Sequence, residues 1–416
     1  MPSVDDLLDE FPEKSQAQLR SMWTGLPAPM QLELQRSLDL LPGDVKLWKM
    51  LLGLALMQAK IAFGNKHTVA IVGPANAGKS TLYNQFIRRA PDKAAVSPIP
   101  GTTRANQSAD AGLFTVTDTP GADAVGQVGE AEKAAALAGA AEADFLVVMF
   151  DASQGIRKSE RALYWQFAQL DKPMLVVLNK IDLVRRDRAK VAAHAAQNLD
   201  LDPAQVVPIS AKDGTDVERV LLAIAKAEPE IVAALGKALP EYRRRLAWTA
   251  ITGAASTSAV IALTPLPILD VFPLLAVQTS LVLGIARIYQ YELTFERARE
   301  LAVTFGLGFL GRTLFQELSK LGGPPGWLLG AAIAASTTVV MGYAAMAWFE
   351  RGERLTTETL KQLTQTMLSY LLDRLRGLGQ KRPSKGSLQE RMAAVLDDSP
   401  LAPGSAAAPE SPTTAP

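Results

Sequence analysis

The nine residues Gly73-Pro74-Ala75-Asn76-Ala77-Gly78-Lys79-Ser80-Thr81 constrain this chain more than any other stretch. An apolar run, Thr68-Val69-Ala70-Ile71-Val72, precedes them, and a helical pattern, Leu82-Tyr83-Asn84-Gln85-Phe86-Ile87, follows. Strand, glycine-rich loop and helix in that order predict a phosphate-binding loop. The outer glycines let the backbone wrap and point its N–H groups inward at phosphate oxygens. The helix N-terminus adds a partial positive charge at the same spot. Gly73, Asn76, Ala77, Gly78, Lys79, Ser80 and Thr81 are therefore the expected phosphate-side contacts. Lys79 is placed to reach the β- and γ-phosphates, and the Ser80 hydroxyl to hold Mg²⁺.

A chain of 416 residues has room for two or more domains and a large core. Its net charge of +1 gives no global basic surface, and so no direct evidence for a nucleic-acid partner. The absence of Cys excludes disulfides, thiolate metal sites and a cysteine nucleophile. With only His67 and His194 to offer imidazole, zinc chemistry is also disfavoured. The start, Met1-Pro2-Ser3-Val4-Asp5-Asp6, is acidic and lacks the apolar core of a signal peptide.

Residues 1–64 read as an N-terminal helical segment, with helices expected at Asp5–Glu10, Gln31–Leu38 and Val45–Phe63. The third of these is either a helix packed on the next domain or an interfacial membrane helix. Residues 65–238 alternate strand-like and helix-like runs, the α/β signature. Strands are expected at Thr68–Val72, Gly112–Thr117, Asp144–Phe150, Met174–Leu178 and Val206–Ile209. A further short strand near Ala105–Ala109 is expected to pair antiparallel with Gly112–Thr117. The basic run Arg185–Lys190 reads as a solvated helix face. Residues 239–355 are mainly hydrophobic and helical, 356–398 amphipathic and helical. The tail 399–416, made mostly of Pro, Ala, Ser and Thr, is too poor in apolar surface to order itself.

Three further constellations follow the phosphate loop at expected strand ends. Asp118-Thr119-Pro120-Gly121 offers a carboxylate for Mg²⁺ and a glycine N–H that can sense the γ-phosphate. Asn179-Lys180-Ile181-Asp182 offers an acid able to accept two hydrogen bonds from the guanine N1–H and its 2-amino group, a donor pair adenine lacks. Lys180 and Asn179 are expected to pack against the base and brace the loop. Ser210-Ala211-Lys212 offers the Ala211 N–H to guanine O6.

This set resembles the translation-factor-related GTPases and, in detail, their Era/TrmE-like bacterial branch, over about residues 65–238. The resemblance implies a P-loop G domain, a mixed and mostly parallel sheet with helices on both faces, that binds GTP and GDP with Mg²⁺ and hydrolyses GTP. Pro100-Gly101-Thr102-Thr103-Arg104 is similar to the first switch of that branch. By that likeness Thr103 closes on Mg²⁺ and the γ-phosphate, with Thr102 as the alternative register. Mg²⁺ is then organised by Ser80, Thr103 and Asp118, and the catalytic set is Lys79, Thr103 and Gly121. Asn76, by the same likeness, either helps hold K⁺ beside the phosphates or braces the loop. Ala122 stands where Ras-like enzymes carry a water-orienting glutamine. Hydrolysis is therefore expected to be slow unless a cation, a partner or a second G domain in a dimer completes the site.

Beyond Arg243-Arg244-Arg245 charge nearly vanishes: Ala247–Leu269, Val271–Ala286 and Leu321–Phe349 are uncharged. A bilayer core takes about 20 helical residues, and Trp327 and Trp348 stand about 31 Å apart along a helix at 1.5 Å per residue. Aromatic residues at block ends and arginines outside them suit a membrane interface. These blocks are expected to insert in a membrane, either as Ala247–Leu269 and Gly326–Phe349 alone or with Ala247–Thr264 and Leu274–Ala286 as a hairpin. Asp270 reads as a turn or interface residue, or as an intramembrane carboxylate. Thr264-Pro265-Leu266-Pro267 and Asp270 resemble the domain-of-unknown-function 697 family, a hydrophobic domain fused to bacterial GTPases, over about residues 240–355.

The expected whole is a GTPase on the cytoplasmic membrane, its G domain facing the cytosol, working as a switch on a protein effector. Dynamin-like remodelling, GTPase-coupled transport and a soluble binding module are the alternatives.

Overall fold

Strands β1 (Val69–Pro74), β4 (Phe145–Asp151) and β5 (Met174–Asn179) are near-continuous apolar runs. Such runs suit central strands of a parallel sheet covered on both faces. A computed structural model of the protein describes residues 66, 68–86, 107–108, 113–119, 127–263, 271–291, 326–353, 355–376 and 383–403, with Gln16, Arg20 and Ile61. The described residues divide between two compact units, Gly64–Arg243 and a second made of Met1–Phe63 with Arg244–Pro416. The expected N-terminal helices lie almost wholly outside the described residues.

In the first unit, β2 (Gln107–Ser108), β3 (Phe114–Thr119) and β6 (Val206–Pro208) complete a six-stranded sheet of order β2-β3-β1-β4-β5-β6. All neighbours run parallel except β2, which pairs antiparallel with β3. The sheet is thus mixed and mostly parallel, and the short extra strand falls within the stretch expected for it. β1 lies between β3 and β4, so successive connections leave it in opposite directions and open a crevice at the strands' carboxyl ends.

Helices cover both faces. Ala70, Val72, Val148 and Phe150 share one core cluster with Ala140 of α2 (Gln127–Glu142), Phe167 of α3 (Lys158–Ala168) and Ala195 of α4 (Arg188–Asn198). Phe114, in register with Val69, points to the other face and stacks at 4.9 Å on Phe86 of α1 (Lys79–Phe86). α5 (Val217–Ala227) buries Val217, Val220, Leu221, Ile224 and Ala225, one stripe at helical spacing. A short α6 (Val232–Ala238) follows. The run Arg185–Lys190 spans a 3₁₀ turn and the start of α4; Arg186, Asp187, Ala189 and Lys190 are exposed as expected, while Arg188 is partly buried in an ion pair with Asp216.

The second unit is helical. α7 (Arg243–Ala262), which begins at the unit boundary, α8 (Val271–Ile288) and α9 (Gly326–Arg351) bury their small and apolar residues against each other. Thr338 on α9 donates its hydroxyl to Ser258 Oγ on α7 at 3.0 Å, and Gln278 on α8 lies 3.4 Å from the same Thr338 oxygen. Four residues on, Gly342 faces Ile251 and Leu281 so closely that a Cβ would lie 2.5 Å from Ile251 Cγ1. These pairings set α7 antiparallel to α9 and α8 parallel to it, so α7 and α8 run antiparallel to each other. Asp270 and residues 264–269 between them lie outside the described residues.

α10 (Thr357–Leu375) packs along α9, and Thr356 caps it by accepting from Thr359 N at 3.2 Å. In α11 (Lys385–Asp397) Ser384 does the same for Ser387 N. The Tyr370 hydroxyl lies 3.0 Å from both the Val395 and the Asp398 carbonyl oxygens and so ties the two helices together. The tail expected to be disordered from Ser399 is, to residue 403, a packed turn with Leu401 and Ala402 buried. Two apolar side chains in a short turn suffice there because α11 already fixes the backbone. Residues 404–416 lie outside the described set.

A candidate nucleotide-binding site

The expected site residues that are described gather at the carboxyl ends of the parallel strands. The loop 75–78 leaves β1, and Asp118 near the end of β3 sits in register with Gly73. Asn179 ends β5 directly beside Asp151 at the end of β4. Ser210-Ala211-Lys212 follows β6. Thr103 with its switch segment, Gly121 and Ala122 lie outside the described residues, as does the side chain of Asp118.

Only glycine fits at two loop positions. Gly73 has φ +143°, and a Cβ there would lie 2.2 Å from the Met149 carbonyl oxygen of the neighbouring strand. Gly78 has φ +93°, and a Cβ there would lie 2.1 Å from Asn179 Nδ2. Between them Asn76 takes a left-handed φ of 62° and is exposed, while Ala77 is buried. Lys79 opens α1 and turns its side chain back over the loop: Nζ donates to the Gly73 and Pro74 carbonyls at 2.8 and 2.6 Å. It is 2% exposed, so those carbonyls hold an ammonium that would otherwise be buried at high cost. Ser80 and Thr81 follow, partly exposed, in the first turn of the same helix.

Asn179 joins the loops. Its Nδ2 donates to the Ala77 carbonyl at 2.8 Å, and its Oδ1 accepts from the Ala211 N–H at 2.8 Å. The bracing expected of Asn179 thus has a defined geometry. The Ala211 N–H, expected to face guanine O6, is committed to Asn179, because β6 delivers Ala211 directly against the end of β5. The Ala211 carbonyl in turn accepts from Gln85 Nε2 of α1 at 2.7 Å. Asp182 is partly exposed and accepts from Ser210 Oγ at 2.9 Å through Oδ1. Lys180 is held in a left-handed conformation, φ 66°, with Nζ 2.7 Å from Asp151 Oδ2. Lys212 is exposed.

Asp151 and Gln85 escaped the sequence reading. Asp151 accepts from Ser153 N and Oγ at 2.9 and 2.6 Å as well as from Lys180. Burial by itself raises its pKa, but the hydrogen bonds from Lys180 and Ser153 and the charge of Lys180 outweigh burial and hold the carboxyl below its ordinary value. An acid at the end of an apolar strand, followed two residues later by Ser, was the available signal.

The donor set fits a nucleotide bound with a hard divalent cation: loop N–H groups and an ammonium for phosphate, a hydroxyl at a helix start for magnesium, and a carboxylate beside the base loop. Among the described residues no cluster of three or more His, Cys, Asp or Glu could hold a metal by protein ligands alone.

Comparison with known proteins agrees with this geometry. Residues 68–180 match the family model described as 50S ribosome-binding GTPase, and residues 228–374 match a domain of unknown function, DUF697. GTPase Der of Clostridium botulinum is 34% identical over 165 residues, which are 37% of this chain and 37% of Der. The tRNA modification GTPase MnmE of Synechocystis is 35% identical over 160 residues, 36% of this chain and 34% of MnmE. The chain thus spans little more than a third of the length of these relatives. The crystal structure of Aquifex aeolicus Era bound to GDP·AlF4⁻ is 30% identical, covering 47% of this chain and 67% of that one, with a TM-score of 0.34. The chain thus carries a GTPase G domain joined to a DUF697 domain, and is similar to Der and MnmE over its G-domain part.

Proposed function

We propose that this protein binds GTP with Mg²⁺, hydrolyses it slowly to GDP and phosphate, and uses the difference between the two bound states as a switch. The observation that carries this is the double hydrogen bond of Asn179, which sets the phosphate loop and the base-reading loop at one edge of the sheet. Lys79 and the loop N–H groups stabilise phosphate charge, and Ser80, Thr103 and Asp118 organise Mg²⁺. Asp182, steadied by Ser210, selects guanine. Hydrolysis needs an oriented water, and Ala122 offers no group to orient it. K⁺ held beside Asn76, or a second G domain, supplies the missing element in this reading. The γ-phosphate is sensed through Thr103 and Gly121.

The test is nucleotide binding by the wild type and Asp182→Asn. The wild type should prefer GTP and GDP over ATP, and the amide variant should lose that preference and gain affinity for xanthine nucleotides. Equal ATP and GTP affinity in the wild type would refute guanine selection. Replacing Na⁺ by K⁺ should raise the turnover of the wild type but not of Asn76→Ala.

We further propose that the helical unit attaches the protein to the cytoplasmic membrane, with the G domain in the cytosol and a protein effector recruited there. Supporting this is α9, 26 residues and about 39 Å long, the one helix among the described residues long and apolar enough to cross a bilayer. Of the residues in its apolar window, 94% are buried by their neighbours. Alkaline extraction of membranes should leave the protein in the pellet; full release would refute insertion.

A further inference from the structure

We infer that Asp151 is a positioning residue for base recognition, acting through Lys180. The inference deepens the proposed guanine-nucleotide reading and rests on it. Asp151 ends β4 in register with Asn179 of β5, so its carboxylate lies beside the start of the base-reading loop. Oδ1 is held by the Ser153 N–H and hydroxyl, which close a tight turn and fix the carboxylate plane. Oδ2 is left to face Lys180 Nζ at 2.7 Å, with Gln154 Nε2 at 3.2 Å. The peptide after Asp151 adds a second tie, since Ala152 N donates to the Asn179 carbonyl at 2.8 Å.

The consequence falls on Lys180. Its backbone is left-handed, an unfavourable region for a residue with a Cβ, and its long stem would otherwise sample many rotamers. The ammonium bond to Asp151 pins the far end of that stem. A lysine fixed at both ends presents its methylene face as a ready platform for a flat base, between the Asn179 bridge and the Asp182 carboxylate. Asp151 touches neither phosphate nor base in this scheme; it removes the entropy that Lys180 would lose on binding.

Asp151→Asn separates the two jobs of the carboxylate. The amide oxygen can still accept from Ser153, but the amide nitrogen then confronts the Lys180 ammonium, donor against donor. Titration of the full-length protein with GDP should show about a tenfold loss of affinity, the worth of one charge-assisted hydrogen bond. Thermal unfolding should remain a single cooperative step, with only the modest fall in midpoint that loss of one part-buried ion pair brings. In a Lys180→Met background the same substitution should have no further effect, whereas a general loosening of the sheet edge would weaken GDP binding in both backgrounds. Should Asp151→Asn fold poorly, Ser153→Ala at the exposed turn gives the same reading. It should cause a smaller loss that also vanishes with Lys180→Met. Unchanged GDP affinity in Asp151→Asn, or an equal loss in both backgrounds, would overturn the inference alone. A wild-type protein that ignores GDP would overturn the underlying reading with it.

Discussion

Gly78 and Asn179 are in such close apposition that a Cβ on the glycine would lie 2.1 Å from the amide nitrogen of the asparagine. Gly78 also has φ +93°, a region L-residues rarely adopt. Gly78→Ala therefore meets two penalties. The backbone strain costs about 1–3 kcal/mol, and relief of the contact displaces Asn179 from the Ala77 carbonyl. GDP binding should be lost and chemical denaturation should shift to lower denaturant. An alanine variant with wild-type affinity would contradict the geometry.

Asn179→Ala leaves the Ala77 carbonyl and the Ala211 N–H without their side-chain partner. Buried groups left unpaired cost about 1–3 kcal/mol each. Release of a fluorescent GDP analogue should accelerate by at least about tenfold. Gln85→Leu breaks the hydrogen bond to the Ala211 carbonyl, worth about 1 kcal/mol. Its release rate should fall between wild type and Asn179→Ala, and the reverse order would show that the Ala211 peptide is not held from both sides.

Asp151 makes a pH prediction. Its carboxyl is held below the ordinary value of 3.8 in the folded protein, with the acid less readily protonated there than in the unfolded chain. The stability it confers is complete above the unfolded pKa and is lost as pH falls through the lower folded one. Unfolding of wild type and Asp151→Asn compared across pH should show a constant gap above about pH 5 that narrows below about pH 4. A gap that widens on acidification would mean the opposite shift.

In the helical unit, Gly342 is the tightest point. A Cβ there meets Ile251 Cγ1 at 2.5 Å and Leu281 Cδ2 at 3.1 Å. Gly342→Val overfills the junction of α7, α8 and α9 and should cost about 1–3 kcal/mol, the range for added core volume. Circular-dichroism melting of the full chain should register the loss. A melting curve identical to the wild type would mean the three helices are not packed at this point.

Local motifs were the readable part of the chain. The phosphate loop and Asn179–Asp182 are contiguous in sequence, and their chemistry follows from residue types at fixed spacing. Asp151 and Gln85 were not readable, because each acts on a residue that only the sheet brings near: Asp151 through the β4–β5 register, Gln85 across from α1 to the turn after β6. Arg188 looked solvated within a run of charges until folding supplied Asp216. Leu401 and Ala402 looked like tail because two apolar residues among Pro, Ala and Ser carry little signal alone. For α9, composition records how apolar a helix is but not what touches it, and lipid and protein neighbours leave the same pattern.

The position of α10 has a consequence for how the chain is made. α9 owes part of its covering to α10, which is translated after it. Until the ribosome has moved well past residue 375, the long apolar helix α9 stands without one of the helices that cover it. During that interval it is open to chaperones and to any bilayer nearby, so the speed of elongation through α10 influences which of them receives it.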